Sequence, residues 1–200
     1  MLHQLSTSLR VTVVTLILTG LVYPLAVTGV ARIAFARRAG GSIVLDEAGR
    51  PVGSELLAQG FSSPAYFQPR PSAAGEKGYD PMASGGSNLG PTSARLRERA
   101  SAEVARLRAG NPSAPPSVPA ELVTTSGSGL DPHLSPAGAL WQAARVAAAR
   151  GVSEERIRAV VDDAVEGRDL GLLGEPRVNV LLLNLSLDRQ FGRPASGPKG

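Results

Sequence analysis

The residues best suited to chemistry lie in one short stretch, SGSGLDPH, from Ser126 to His133. Asp131 and His133 can act as an acid–base pair, and Ser126 or Ser128 supplies a hydroxyl, which together suggest a serine hydrolase. The same residues are typical of a glycine-rich turn in which Asp-Pro caps backbone groups and the histidine packs beside it. Neither Ser128 nor Ser87 has glycine at both −2 and +2, as a nucleophile elbow requires. We therefore favour the turn and keep a membrane-anchored serine hydrolase as the alternative.

A second glycine-rich stretch, SGGSN, runs from Ser84 to Asn88. Its backbone N–H groups can hold an anion, but a loop of this composition is more often simply a surface loop. The sequence has no GxxxxGK[ST] motif, so it predicts no Walker-type phosphate loop. Cysteine is absent, and the two histidines, His3 and His133, lie on opposite sides of a long apolar segment. We therefore expect no metal site and no cofactor of the chain's own.

That apolar segment, Val11 to Ala31, carries no charge over 21 residues. A helix of this length rises about 31 Å, which is enough to cross a bilayer. Pro24 predicts a kink, and Gly20 allows a neighbouring helix to approach closely. A cleaved signal peptide is the alternative, with Ala34-Phe35-Ala36 as its cleavage site, although such peptides have apolar regions of only about 7–15 residues. The segment therefore predicts one uncleaved transmembrane helix.

The composition predicts a single membrane-anchored domain with many loops. The chain has 16 prolines and 23 glycines, and its net charge of +4 combines 21 basic with 17 acidic residues. With 4% aromatic residues and interleaved charges, it lacks the basic stripe and stacking aromatics of a nucleic-acid-binding protein. We predict an N-terminal lead (1–10), a transmembrane helix (11–36), an α+β soluble domain (37–188) and a flexible tail (189–200).

Within the predicted domain, short apolar runs and turn residues indicate a small sheet with packed helices. Gln142 and Arg145 are three residues apart on one helix, either on a solvated or domain-packing face or as a pair that binds a ligand. The predicted elements are a strand and turn at Ser42 to Gly49, a packed loop at Phe61 to Arg70, a helix whose first turn contains Pro91, a strand at Leu122 to Thr125, helices near 137–150 and 153–166, and a central strand at Val178 to Leu187.

Charges beside the apolar segment leave its orientation open. Arg32, Arg37 and Arg38 follow it, which by the positive-inside rule favours a cytoplasmic domain, but Arg10 and His3 lie on the other side. Long domains translocate largely regardless of such a small margin.

Taken together, the motifs closely resemble the KdpC family, the C subunit of the bacterial Kdp potassium-transporting ATPase. The matching blocks occur in order along almost the whole chain. They are GLVYPL with Gly20, Tyr23 and Pro24; Arg70, Pro71 and Ser72; Tyr79-Asp80; SGGSNLGP with Ser84, Gly85, Gly86, Ser87 and Asn88; SGSGLDPH with Ser126, Gly127, Ser128, Gly129, Asp131 and His133; Gln142 to Val146 with Arg145; and GEPRVNV with Glu175, Arg177 and Asn179.

The resemblance implies an accessory, non-catalytic subunit of a high-affinity potassium uptake complex in the inner membrane. Its partners would be a channel-like subunit, a P-type ATPase subunit and a very small membrane subunit, which Gly20, Tyr23 and Pro24 would contact within the lipid. ATP and potassium would be handled by the complex. The family has been assigned a structural role, with an extracytoplasmic domain, and a catalytic-chaperone role that raises ATP affinity. Ser84 to Asn88 and Gln142 would be the nucleotide-related residues.

Overall fold

The computed structural model describes residues 1–46 and 48–194. It divides after Val52 into two compact units, Met1–Val52 and Gly53–Gly200. Of the predicted tail, residues 195–200 lie outside the described residues, and 189–191 form the end of the last helix.

The first unit contains a long apolar helix that is able to span a membrane. Helix α1 (Leu2–Ile17) and helix α2 (Tyr23–Ala34) are continuous through a π-helical turn, Leu18–Val22, in which Tyr23 N–H bonds to the carbonyl of Leu18. Pro24, which follows this turn, has no N–H to donate and thereby loosens the regular ladder. In this 33-residue helix, Leu2–Ala34, none of the apolar segment is buried against the rest of the chain. It confirms the predicted N-terminal span and begins nine residues before Val11.

A short helix and a hairpin follow this span. Helix α3 (Ala36–Ala39) precedes strands β1 (Ile43–Leu45) and β2 (Pro51–Ser54), which form a two-stranded sheet. Asp46 closes the turn, because its carboxylate accepts the backbone N–H groups of Ala48 and Arg50 at 2.9 Å each. The hairpin confirms the strand and turn predicted at Ser42 to Gly49.

The second unit has the predicted α+β architecture. Its elements in order are α4 (Ala94–Gly110), a 3₁₀ turn (Ala120–Leu122), β3 (His133–Leu134), α5 (Pro136–Arg150), α6 (Glu154–Asp163), β4 (Val165–Glu166), β5 (Arg177–Asn179) and α7 (Val180–Phe191). The three strands form an antiparallel sheet in the order β3-β5-β4, in which Val178 pairs with both Leu134 and Val165.

Helices α5 and α6 begin and end close to where their capping residues predict. Ser135 Oγ accepts Gly138 N–H at 3.1 Å, Pro136 occupies the first turn, and Gly151 ends α5 at φ +66°. Helix α6 ends at Asp163, three residues before the predicted end, and Val165 belongs to β4.

The core of the second unit lies between α5, α6, α7 and β5. Phe67, from the long loop before α4, is fully buried among them, which confirms the packed loop predicted at Phe61 to Arg70. Other fully buried members include Val146, Ile157, Val161, Val178, Leu183 and Leu187.

The strand predicted from Val178 to Leu187 is wrong beyond its second residue. Asn179 Oδ1 accepts Leu182 N–H at 3.2 Å and thereby starts α7. The buried residues Val180, Leu183 and Leu187 are three and four apart, which is helical spacing. A run that is apolar on every side fits strand and helix equally, and here the cap decides for the helix.

Two smaller predictions are also wrong. Pro91 lies outside α4, because Ser93 Oγ accepts Leu96 N–H at 3.4 Å and the helix begins at Ala94. Residues Leu122 to Thr125 form no strand, because Val123 N–H and Thr124 N–H both bond to the carbonyl of Ala120, which closes a helical turn.

Candidate functional site: two glycine-rich loops and an arginine–aspartate pair

The two glycine-rich stretches singled out in the sequence pack directly on each other. The carbonyl of Ser128 accepts Gly85 N–H at 2.8 Å and Ser84 Oγ at 3.0 Å. Glycine is required at Gly129, which has φ +68° and where a Cβ would lie 2.5 Å from the carbonyl oxygen of Gly85. Backbone therefore meets backbone between SGGSN and SGSGLDPH.

Ser72 connects this pair of loops to a third. Its Oγ donates to the carbonyl of Gly129 at 2.6 Å and accepts the N–H groups of Ala74 at 3.1 Å and Tyr79 at 2.8 Å. The Tyr79 hydroxyl in turn donates to the carbonyl of Arg70 at 2.9 Å, and burial raises the pKa of this tyrosine. We call residues Arg70–Ser72, Ser84–Asn88 and Ser126–His133, which meet here, the motif cluster.

An arginine–aspartate–histidine arrangement forms one side of the motif cluster. Arg70 Nη1 lies 3.3 Å from Asp131 Oδ2, and its Nη2 donates to the carbonyl of Thr125 at 3.3 Å. The other carboxylate oxygen of Asp131 accepts His133 N–H at 3.0 Å and lies 3.5 Å from His133 Nδ1. Hydrogen bonding to the His133 side chain, then to its backbone N–H, and the charge of Arg70 lower the pKa of Asp131 against the effect of burial. The carboxylate therefore stays ionised at neutral pH.

The catalytic triad of a hydrolase is not assembled in this arrangement. Ser128 Oγ accepts Leu130 N–H at 3.1 Å and lies 3.4 Å from Ser126 Oγ. Across residues 1–46 and 48–194, no hydrogen bond joins either serine hydroxyl to His133, whose Nδ1 faces Asp131. The same part of the chain holds no group of three His, Cys, Asp or Glu arranged for a metal. The geometry matches the turn interpretation of SGSGLDPH.

The GEPRVNV motif joins the motif cluster through the sheet. Asn179 pairs with His133 across β5 and β3, and Val180 N–H donates to the carbonyl of Pro132 at 2.9 Å. Arg177 lies beside Glu166 at 3.1 Å, and its pKa is raised mainly by its hydrogen bond to Asp169.

Gln142 and Arg145 hold a loop in place and do not form a free surface. Gln142 is 2% exposed; its Oε1 accepts Gln68 N–H and its Nε2 donates to the Gln68 carbonyl, both at 2.9 Å. Arg145 donates to Gln142 Oε1 at 2.7 Å and to the carbonyl of Tyr66 at 3.1 Å. Burial, with the nearby charge of Arg106, lowers the pKa of Arg145 to about 10. The two side chains therefore pack the domain, as one of the two sequence interpretations holds.

Asn184 is a second amide of this kind, and sequence reasoning missed it. Its Oδ1 accepts Phe67 N–H at 2.8 Å, and its Nδ2 donates to the Phe67 carbonyl at 2.9 Å. Gln142 and Asn184 thus bind consecutive loop residues, Gln68 and Phe67, as a neighbouring strand would. The signal in the sequence is a lone amide four residues after Val180, on the apolar face of a helix.

An open cleft of about 590 Å³ lies beside the SGGSN loop. Gly86 and Ser87 form one wall, and Arg95 and Arg99 of α4 form another. Nε and Nη2 of Arg99 are shielded from solvent and have no acceptor within the described ranges. The two arginines suit an anion, although the carboxylate of Glu98 also lines the cleft.

Comparisons with known proteins match the chain almost from end to end. The family model "KdpC: K+-transporting ATPase, c chain" matches residues 5–189. A protein of Myxococcus xanthus named "Potassium-transporting ATPase KdpC subunit" is 67% identical over 186 residues, which cover 93% of this chain and 88% of that protein. Proteins of the same name from Caulobacter sp. (strain K31) and Rhodospirillum rubrum are 54% and 50% identical over 184 and 191 residues. These matches cover 92% and 96% of this chain and 91% and 98% of those proteins.

Proposed function

The chain belongs to the KdpC family of K+-transporting ATPase subunits, and from this premise we propose that it is a non-catalytic subunit that stabilises the assembled complex. One observation carries the non-catalytic part of the proposal. In the motif cluster, the hydroxyls of Ser72 and Ser128 and the carboxylate of Asp131 bond to the chain's own backbone. Groups that are occupied in this way shape a surface and leave no activated nucleophile.

The proposed partners are a channel-like subunit, a P-type ATPase subunit and a small membrane subunit, reached in part through the apolar helix. Two features of that helix support a helix–helix contact. Gly20 has no side chain to hold a neighbouring helix away, and Tyr23 lies about one turn further along the same helix. Close approach at a glycine, next to a large side chain beside Pro24, suits packing against another membrane helix.

We place the folded domain on the extracytoplasmic side, following the family resemblance over the small charge margin. In that location Ser84 to Asn88 and Gln142 do not meet cytoplasmic ATP. A rise in the ATP affinity of the pump subunit, the proposed chaperone role, is then a coupling between two sites through packed membrane helices. The motif cluster acts in this scheme as a rigid docking face.

The proposal is tested by isolating the tagged chain from membranes in mild detergent. We expect potassium-stimulated ATPase activity to accompany the chain, and the chain alone to hydrolyse neither ATP nor a simple ester. The test variant is Ser128→Ala, and the matched control is Ser101→Ala, because Ser101 is an exposed serine on α4. Ester turnover by the isolated chain that is lost in Ser128→Ala and retained in Ser101→Ala would favour the hydrolase instead.

A further inference from the structure

Three leucines stand exposed at the tip of the hairpin between β4 and β5. Leu170, Leu172 and Leu173 are 92%, 81% and 62% exposed. The backbones of Asp169 and Leu173 exchange two hydrogen bonds of 2.9 Å, and Leu172 N–H donates to the Asp169 carbonyl at 3.2 Å. The segment Asp169–Leu173, here called the leucine tip, is therefore a hydrogen-bonded turn that presents apolar side chains to water.

The backbone of the leucine tip is also strained. Leu170 and Gly171 have φ of +54° and +75°, so both central residues of the turn are in the left-handed region, as in a type I′ turn. Glycine, asparagine or aspartate normally occupies these positions, because a larger side chain crowds the following carbonyl. The backbone strain destabilises the free chain, and a cluster of exposed apolar side chains is typical of a binding element.

The charges around the leucine tip are already paired. Arg168 lies 2.7 Å from Glu175, and Arg177 lies 3.1 Å from Glu166 and 3.5 Å from Asp169. These five side chains carry two positive and three negative charges. A surface that binds anionic lipid needs unpaired basic residues, whereas an apolar centre with an ion-paired polar rim is the anatomy of a protein–protein contact.

We propose that the leucine tip inserts into an apolar pocket of another protein subunit of the same potassium-transporting complex. The inference rests on the proposed function, since it requires that the chain assembles with partner subunits. The occupant is a protein pocket and not a lipid surface, because both flanking arginines are held by carboxylates. Leu170 and Leu172 are the most exposed of the three leucines, so a partner can enclose them.

Site-specific photocrosslinking in membranes that contain the whole complex tests the proposal. A benzophenone amino acid replaces Leu172, and the matched control carries it at Ala105, which is exposed on α4. We expect illumination to join the chain to a second subunit, identified by mass spectrometry, at a yield well above that of the control. Crosslinks to lipid alone, or a yield equal to that of the control, would overturn the proposal.

A double variant, Leu170→Asn with Leu172→Ser, provides an independent measurement. Asparagine tolerates the left-handed backbone, so the melting temperature of the free chain should not fall. Affinity for the other subunits, measured by titrating the variant against the complex lacking this chain, should fall about tenfold or more for each leucine removed. Unchanged affinity of the variant would refute the binding role of the leucine tip and leave the proposed function standing. A wild-type chain that fails to assemble would refute the proposed function itself.

Discussion

Replacing Asn184 with leucine should strongly destabilise the folded domain, because this buried amide satisfies both backbone groups of Phe67. The side chain of Asn184 is 2% exposed and Phe67 is fully buried, so water cannot replace the two hydrogen bonds of 2.8 and 2.9 Å. Leaving a buried donor or acceptor unpaired costs about 1–3 kcal/mol. The two groups together predict a loss of about 2–6 kcal/mol, a large share of the stability of an ordinary domain.

The chain carries its own reporter for this measurement. Trp141 is the only tryptophan, and it is 5% exposed within the core. Its fluorescence should therefore follow thermal unfolding of the full chain in detergent. Each kcal/mol lowers the melting temperature of a domain of this size by about 2–4 °C, so Asn184→Leu should lower it by at least about 4 °C.

A matched control separates the buried hydrogen bonds from the chemical change itself. Gln190→Leu replaces another amide on α7, but on its exposed side, and should change stability by less than about 0.5 kcal/mol. If Asn184→Leu melts together with Gln190→Leu and the wild type, then the backbone of Phe67 finds other partners, and the account of this loop as held by two amides is wrong.

Three further outcomes follow from the core, the motif cluster and the membrane helix. Ile157→Asp, at a fully buried position, should unfold the domain, because an unpaired buried charge costs several kcal/mol; an unchanged Trp141 transition would contradict this. The pKa of Asp131 is lowered in the folded state, so the contribution of its carboxylate to stability is complete above about pH 4. That contribution is lost as the pH falls through the lowered pKa of the folded chain. Asp131→Asn should therefore remove this part of the acid sensitivity when melting temperatures are measured over a series of pH values. The mature chain should keep residues 1–36 and resist a carbonate wash, and an intact mass short of the first 36 residues would refute the membrane anchor. The single thiol of Ser101→Cys should react with a membrane-impermeant reagent before the inner membrane is broken. Labelling only after lysis would refute the extracytoplasmic location of the domain.

Local signals in the sequence predicted the elements that depend on local physics. Ser135 followed by Pro136, and Gly151 fifteen residues further on, predicted α5 because caps act through neighbouring backbone groups. The uncharged segment around Gly20 predicted the membrane helix for a similar reason, since length and polarity alone decide insertion.

Features that depend on distant contacts were not predictable in this way. The run after Val178 is apolar on all sides, so only the cap at Asn179 distinguishes helix from strand. The contact between Ser72 and Gly129 joins residues 57 apart in sequence, and no spacing rule reveals it. The resemblance to known motifs named the right family, but the structure was needed to bring Arg70 beside Asp131 and to assign Gln142 to loop packing.

The π-helical turn at Leu18–Val22 sets how the two halves of the membrane helix face their surroundings. A regular helix turns by about 100° per residue, and a π turn accommodates roughly one extra residue without lengthening the helix in proportion. Side chains of α1 are therefore rotated about the axis, relative to those of α2, away from the positions that uninterrupted 3.6-residue spacing would give them. If the same residues wound as a regular α-helix, one half would swing by roughly a quarter turn about the axis relative to the other. Deleting one residue within Leu18–Val22 would instead remove the extra residue together with the wide turn, and would leave the two halves facing as they do now. The π turn thus fixes the angle about the helix axis between the side chains of α1 and those of α2.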